Sequence, residues 1–257
     1  MKTLGVREKS AKDVRYEEIE REGFTIIRGC LSQTEVSLLK SIAETHISSL
    51  SAEELDVAAR IGDQGAHRAL FCRYKEFLDL LKNSTVKTLV DFFLDHEYQL
   101  YSQVLAVSSP DEQLNAAGWH RELFYQHFVA SRPIAMQSIF VLDTFNSDTG
   151  GTLFLPGSHL FEDFPSEAYV DEHSVQPVLE AGDCVVMNSM VYHRSGENRV
   201  LANRSLVTNT FVRPFVSTQF DYTRMIEKPE DDFSSRLFGF RWISNVTLDE
   251  WRNAKLG

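Results

Sequence analysis

The feature that most constrains the fold is a change of sequence pattern near Tyr98. Beyond this point, short runs of β-branched and aromatic residues are separated by clusters of Gly, Pro, Asn and Asp. No helical pattern alternates with these runs, whereas a parallel sheet needs a crossover helix between its strands. The pattern predicts an antiparallel sandwich or jelly roll with strands at 98–107, 134–142, 152–155, 175–179, 183–188 and 204–213.

The first ninety or so residues have a helical pattern instead. Apolar residues recur there at intervals of three and four, as in the run from Val36 to Ala43. Ser32 and Glu35 have the spacing of a capping box, which marks the start of a helix. A short apolar run beginning at Phe24 predicts a strand between the helices. We therefore expect a mostly β fold with flanking helices in a single domain, 1–257, comprising a mainly helical buttress (1–95), a jelly-roll core (96–215) and a C-terminal flank (216–257).

Composition restricts the classes of partner and compartment. The 257 residues include 26 Lys and Arg against 37 Asp and Glu, which gives a net charge of −11 at pH 7. Such a surface should repel phosphate backbones and anionic lipid heads, so we predict no nucleic-acid partner and no membrane association. No run of 18 apolar residues and no signal peptide is evident. The three scattered cysteines suit reduced thiols better than disulfides, which predicts a cytoplasmic protein.

His120 and Glu122 are the first candidates for chemistry. Residues two apart in a strand project from the same face, so both side chains could bind one metal ion while Arg121 points away. Eight histidines in a chain of this composition produce about one such pair by chance. Taken alone, the pair fits a solvated strand end as well as a metal site.

A second group of candidates lies downstream. Gly182 and Asp183 predict a tight turn into a buried strand, and a short connection then leads to His193. A lone histidine in that position is more often a hydrogen-bonded core residue than a ligand. Arg204 opens the next apolar strand, and it is harder to explain by packing because a buried guanidinium needs a carboxylate or several acceptors.

Four segments between Tyr16 and about Arg213 occur in a characteristic order. They are the stretch from Tyr16 to Gly29, the Trp119-His-Arg-Glu122 segment, the Gly150-Gly-Thr-Leu-Phe-Leu-Pro-Gly-Ser-His159 segment, and the block from Gly182 to Arg204. Together they resemble the phytanoyl-CoA dioxygenase family of iron(II)- and 2-oxoglutarate-dependent oxygenases. That family is built on a double-stranded β-helix, a cupin-like jelly roll. In the family, the sequence spacing between the distal metal-binding histidine and the 2-oxoglutarate-binding arginine matches the eleven positions from His193 to Arg204.

The resemblance implies a ligand set and a reaction. His120, Glu122 and His193 would bind Fe(II), and Arg204 would bind the far carboxylate of the cosubstrate 2-oxoglutarate, with O2 as oxidant. Three protein ligands leave three positions of an octahedral ion open. The implied reaction is hydroxylation of a small molecule at an unactivated C–H bond, with release of succinate and CO2. Most members have aspartate where this chain has Glu122, whose extra methylene shifts the carboxylate.

Further residues are implied to lie near the cosubstrate. Ser195 and Gln137 correspond to positions that line the 2-oxoglutarate pocket in relatives, and Gln103 could contact cosubstrate or substrate. His127 could contact a metal ligand, or it could be an ordinary interior histidine. We expect His159 to be structural.

Three other functions remain open at this point. A halogenase would need Gly or Ala in place of Glu122, and a catalytically silent jelly-roll binding protein would be expected to have lost a ligand or Arg204. A protein hydroxylase would act on a polypeptide side chain. The sequence indicates neither the substrate nor the oligomeric state. Loops should determine specificity, and the loops concerned are 50–75, 108–118, 160–172 and 215–242. The stretch 51–70 is rich in polar and charged residues and would suit a polar or charged substrate.

Overall fold

The computed structural model describes residues 13–110, 118–123, 128–244 and 246–253. Helices dominate its first part and strands its middle, as the sequence patterns predict. The helices are α1 (Val14–Arg21), α2 (Gln33–Ser48), α3 (Ala52–Ile61), α4 (Lys75–Leu81), α5 (Ser84–Phe93), α6 (Glu167–His173), α7 (Asp232–Leu237) and α8 (Leu248–Asn253). The strands are β1 (Phe24–Ile27), β2 (Ala66–Arg68), β3 (Gln99–Ser108), β4 (Ala135–Val141), β5 (Leu153–Phe154), β6 (Cys184–Asn188), β7 (His193–Arg194) and β8 (Arg204–Val212).

Helices α2 and α3 both begin with a capping box. The predicted box at α2 is confirmed, because the Glu35 amide donates to Ser32 Oγ and the Ser32 amide donates to the Glu35 carboxylate. Helix α3 has an equivalent box at its own start, and it ends at Gly62 in the left-handed conformation. No residue of α3 is buried, so this helix is held mainly by its ends.

Six strands form one antiparallel sheet in the order β1-β6-β4-β8-β3-β2. A second, two-stranded sheet pairs β5 with β7. The edge strand β2 was not anticipated from the sequence, because three residues are too few to show an alternation. The strand expected at 175–179 forms only isolated bridges, Phe154 to Val175 and Phe145 to Leu179.

Neighbouring side chains along the strands face opposite sides of the sheet and pack into different hydrophobic cores. Phe140 of β4 and Val207 of β8 belong to the larger core, which lies between the six-stranded sheet and the helices. Their neighbours Ile139 and Leu206 face the opposite way, into a smaller core that includes Phe154 of the two-stranded sheet. Gln137 of β4 and Arg204 of β8 lie on this second face, since each is separated from Ile139 or Leu206 by one residue.

Within the described residues, no helix combines the length and the apolar character needed to cross a membrane. The three cysteines, Cys30, Cys72 and Cys184, are all free thiols.

Candidate active site

The two candidate histidines are brought together by backbone pairing. The His120 amide donates to the His193 carbonyl and the His193 amide donates to the His120 carbonyl, both at 3.0 Å. The Glu122 amide donates to the Ser189 carbonyl at 3.1 Å. The segment that carries His120 and Glu122 is therefore held against the turn that leads into β7.

This pairing gathers three possible metal ligands. Glu122 Oε1 lies 3.2 Å from His193 Nε2 and 4.0 Å from His120 Nε2. The three ligand atoms all lie within 4.8 Å of one another, and no other group of three such residues does so in the described part of the chain. Two imidazoles and one carboxylate on one side of an ion form the donor set of non-haem iron oxygenases.

Hydrogen bonds orient both imidazole rings. His120 Nδ1 lies 2.8 Å from the Gly118 carbonyl, and His193 Nδ1 lies 3.0 Å from the Val191 carbonyl. Because a carbonyl only accepts, each Nδ1 carries the hydrogen and each Nε2 keeps a free lone pair. Burial, together with the proximity of His193, lowers the pKa of His120, which favours the neutral form that binds a metal.

The Glu122 carboxylate is held in its charged form. Burial raises its pKa, but the adjacent imidazoles of His193 and His120 act in the opposite direction, because each ring attracts the carboxylate when it is protonated, and they leave the pKa below its ordinary value. Thr210 of β8 donates to Glu122 Oε2 at 3.5 Å. Sequence reasoning missed Thr210, since a threonine in a strand carries no distinctive signal.

Arg204 is almost fully buried at the start of β8, with 2% of its surface exposed. Its Nε and Nη1 atoms have no hydrogen-bond partner. The guanidinium lies 4.8 Å from the ring centre of Phe145, and burial lowers its pKa to about 10 although Asp143 acts in the opposite direction. A buried cation with unpaired donors is costly by itself, so this side chain suits an anionic ligand bound beside it.

One cavity of about 460 Å³ joins these residues. It is lined by the three possible ligands, by Arg204, and by the predicted residues Ser195 and Gln137. Gln137 Nε2 donates to Thr210 Oγ1 at 3.3 Å, while its Oε1 is buried without a partner. Gln137 thus reaches the hydroxyl group that contacts Glu122.

The structure corrects the expectation for Gln103. Its side chain is fully buried and is not among the described residues that line the cavity. Its Nε2 donates to the Phe77 carbonyl and to Asn209 Oδ1, both at 2.9 Å, and its Oε1 accepts from the Phe71 amide at 3.1 Å. Gln103 therefore joins β3 to β8 and to the helices.

His159 has the structural role that the sequence predicts. It is buried, and its Nε2 lies 3.2 Å from the carbonyl of Glu20 at the end of α1. The other histidine considered near the site, His127, lies outside the described residues.

Arg121 points away from the metal ligands as expected, but it has a role that the sequence did not indicate. Its guanidinium is buried against the ring of Tyr192, 4.1 Å from the ring centre. It donates to the carbonyl oxygens of Met190, Ser158, Phe161 and Glu162. The metal-ligand segment is thereby attached to two turns, one of which leads directly to His193.

Residues 19–205, well over half of the chain, match the phytanoyl-CoA dioxygenase (PhyH) family. The chain belongs to the phytanoyl-CoA dioxygenase family. Membership confirms the class inferred from the sequence, a dioxygenase that depends on iron and 2-oxoglutarate. The matched range contains all three possible ligands and Arg204.

The chain is similar to proteins from a bacterium and from a fungus. An uncharacterised protein of Mycobacterium tuberculosis (strain ATCC 25618 / H37Rv) is 27% identical over 244 residues, which cover 89% of this chain and 87% of that protein. The dioxygenase olcK of Penicillium canescens is 27% identical over 158 residues, which cover 57% of this chain and 51% of olcK.

Solved structures show the same fold. The non-heme alpha-ketoglutarate-dependent epimerase SnoN from nogalamycin biosynthesis has a TM-score of 0.63 at 16% identity, covering 78% of this chain and 82% of its own. HygX from Streptomyces hygroscopicus, determined with nickel, 2-oxoglutarate and hygromycin B bound, has a TM-score of 0.62 at 14% identity, covering 80% and 89%. This chain shares with them an antiparallel sheet flanked by helices.

Proposed function

We propose that this dioxygenase hydroxylates an unactivated C–H bond of a small molecule, releasing succinate and CO2, within a single jelly-roll domain formed by residues 1–257. The observation that carries the proposal is the lining of one cavity by a His-Glu-His group and by a buried guanidinium with unpaired nitrogens. Small ligands in related structures, nogalamycin RO in SnoN and hygromycin B in HygX, support the substrate class. The free thiols support a cytoplasmic location.

The residues present fit an iron ion. His120 and His193 offer Nε2, since each Nδ1 is engaged with a backbone carbonyl, and Glu122 offers a carboxylate kept ionised by its neighbours. Bound by these residues together with 2-oxoglutarate, iron(II) supplies the oxidising chemistry that uses O2. The backbone pairing of His120 with His193 fixes the ligands before the metal arrives.

The cosubstrate fits the other part of the cavity. Arg204 would pair with the far carboxylate of 2-oxoglutarate through its unpaired Nε and Nη1, because a planar guanidinium can donate two parallel hydrogen bonds to a carboxylate. Ser195 and Gln137 line the same cavity and would provide hydrogen bonds beside it. Ile139 and Leu206 contribute apolar walls to the same cavity.

Glu122 favours hydroxylation over halogenation. A halide would need a coordination position on the metal, and the carboxylate of Glu122 would take that position. Reaction in excess chloride should therefore give a product that has gained one oxygen atom and no chlorine, as measured by mass spectrometry. A chlorinated main product would contradict the assignment.

The proposal is tested by iron binding and by succinate release from 2-oxoglutarate in air. His193→Ala should weaken iron binding by at least about tenfold, since even the loss of a residue that supports a ligand costs that much, and should abolish succinate release. The matched control is His173→Ala, because His173 is exposed on α6 and stacks on Tyr169; it should behave like the native protein. Native iron binding in His193→Ala would refute the ligand set.

A further inference from the structure

The cavity continues beyond the metal ligands toward the edge of the sheet. Arg68 of β2 is in register with Val104 of β3, which is in register with Thr208 of β8. Neighbouring strands are about 4.8 Å apart, so β2 runs roughly 10 Å from β8. In the sheet, β8 and β3 lie between β4 and β2. Gln137 on β4 and Arg68 on β2 therefore lie at opposite edges of the cavity. A substrate that reaches the metal ligands would occupy the space between.

Arg68 is held by a carboxylate that also lines the cavity. Its Nε donates to Asp63 Oδ2 at 3.1 Å and its Nη2 donates to Asp63 Oδ1 at 2.6 Å. The Asp63 backbone is itself fixed, since its amide donates to the Ala58 carbonyl at 2.8 Å and its carbonyl accepts from the Ala66 amide at 3.1 Å. The Arg68 side chain keeps 31% of its surface exposed and the Asp63 side chain 25%, so both remain available to a ligand.

This ion pair provides the charge at its end of the cavity. Among the described lining residues, the other charged groups are Glu122 and Arg204, which have been assigned to the metal and the cosubstrate, and Arg121, whose guanidinium is occupied by backbone carbonyls. Gln219, an uncharged amide, also lines the cavity. Among the lining residues that the structure describes, the substrate end is therefore polar, and its two charges, those of Asp63 and Arg68, cancel.

We infer that Asp63 and Arg68 recognise the substrate, and that the substrate is an uncharged molecule with neighbouring hydroxyl groups. A hydroxyl group both donates and accepts, so two adjacent hydroxyls can bind the carboxylate and the guanidinium together without separating them. A charged group would face a like charge across the same contact and would have to break the pair. This inference rests on the proposed function, which places a substrate in this cavity.

The experiment uses three methyl glucosides that differ only at carbon 6: the neutral alcohol, the carboxylate and the amine. Dissociation constants are measured without oxygen on the native protein with iron(II) and saturating 2-oxoglutarate, so that Arg204 is already engaged. The neutral glucoside should bind at least about tenfold more tightly than either charged analogue, a difference of about 1.4 kcal/mol. Equal or tighter binding of a charged analogue would overturn the inference, as would no binding of any probe at tens of millimolar.

Two variants test the pair itself. Asp63→Asn leaves Arg68 without its carboxylate and should make the carboxylate probe the preferred ligand, whereas Arg68→Gln should make the amine preferred. If the ion pair were only structural, each substitution would weaken the binding of all three probes, and their order of affinity would stay the same. That result would contradict the inference. The matched control is the exposed ion pair of α4, Lys75 with Asp79: Lys75→Gln and Asp79→Asn should keep the native order.

The outcome can be separated from the proposed function. Succinate release by the native protein without any glucoside tests the cosubstrate chemistry alone, and its absence would count against the proposed function. Probe selectivity is measured without turnover and concerns Asp63 and Arg68 only. If a variant fails to fold, the order of the three probes on the native protein still decides the inference.

Discussion

Arg204 combines deep burial with unpaired donors, and this makes its substitution informative. Arg204→Ala should raise the 2-oxoglutarate concentration needed for half-maximal succinate release by two orders of magnitude or more, because losing one partner of a buried ion pair costs on the order of 3–5 kcal/mol. Iron affinity should stay close to native. Arg204→Lys should be intermediate, since an ammonium keeps the charge but loses the planar geometry.

A control reaction distinguishes loss of the anchor from general damage at Arg204. Pyruvate lacks the far carboxylate, so it should support the native protein poorly and should be affected far less by Arg204→Ala. Equal succinate release by native protein and variant at low 2-oxoglutarate would show that the carboxylate binds elsewhere.

Individual residues differ in how well the sequence predicts them. The spacing of His120 and Glu122 did not by itself distinguish a metal site from a chance pair, and the resemblance to a family singled out these two residues and His193. The structure brings the three side chains to one cavity. Gln103 has an equally polar side chain, but whether an amide faces a cavity or a neighbouring strand depends on packing partners such as Asn209 that are distant in sequence. Such partners become visible only when the register is known.

At the scale of elements, strand β2 and the contacts of Arg121 could not be predicted either, because both depend on residues that are distant in the sequence. The longer strands were predictable because seven to ten residues show an alternation or a continuous apolar run. Strand β2 has three residues and owes its existence to pairing with β3. Arg121 contacts turns that lie about forty and seventy positions further along the chain, which no local pattern can indicate.

The contacts of Arg121 predict a role in positioning the metal ligands. Arg121→Lys and Arg121→Gln cannot reach all the carbonyl oxygens that the guanidinium binds, so the turn before His193 should loosen against the segment carrying His120. We expect iron affinity to fall by about tenfold or more, measured by titration of folded, metal-free protein. Arg199→Gln serves as the control, because Arg199 is exposed and paired with Glu197. Native iron affinity in both folded variants would contradict the role.

At the scale of the whole molecule, buried histidines should make stability depend on pH. Burial lowers the pKa of His46, and the charge of Arg73 lowers it further, whereas Glu54 acts in the opposite direction. Burial also lowers the pKa of His67, with a further contribution from His46, whereas Asp63 acts in the opposite direction. The unfolded chain takes up protons near pH 6.5 that the folded protein does not bind. The free energy of unfolding should therefore fall as pH drops below about 6.5, toward the lowered pKa values.

Denaturant unfolding at several pH values measures this dependence. His67→Gln removes one of the two groups and should make the dependence between about pH 7 and pH 5.5 shallower. His173→Gln changes an exposed histidine and should keep the native slope. An identical slope in His67→Gln and the native protein would exclude His67 as a source of the effect.

Helix α3 has no buried residue, and its apolar side chains Leu55, Val57 and Ile61 are exposed. Little packing is lost when such a helix opens, so its backbone amides should exchange with deuterium through local opening, well before those of the central strand β4. Added denaturant should speed exchange in β4 much more than in α3, because only the opening of β4 exposes a large apolar surface. Since Asp63 lies two residues after the end of α3, the substrate end of the cavity would border a unit that opens more easily than the central sheet. A small part of the chain could then rearrange around a ligand while the metal ligands stay in place.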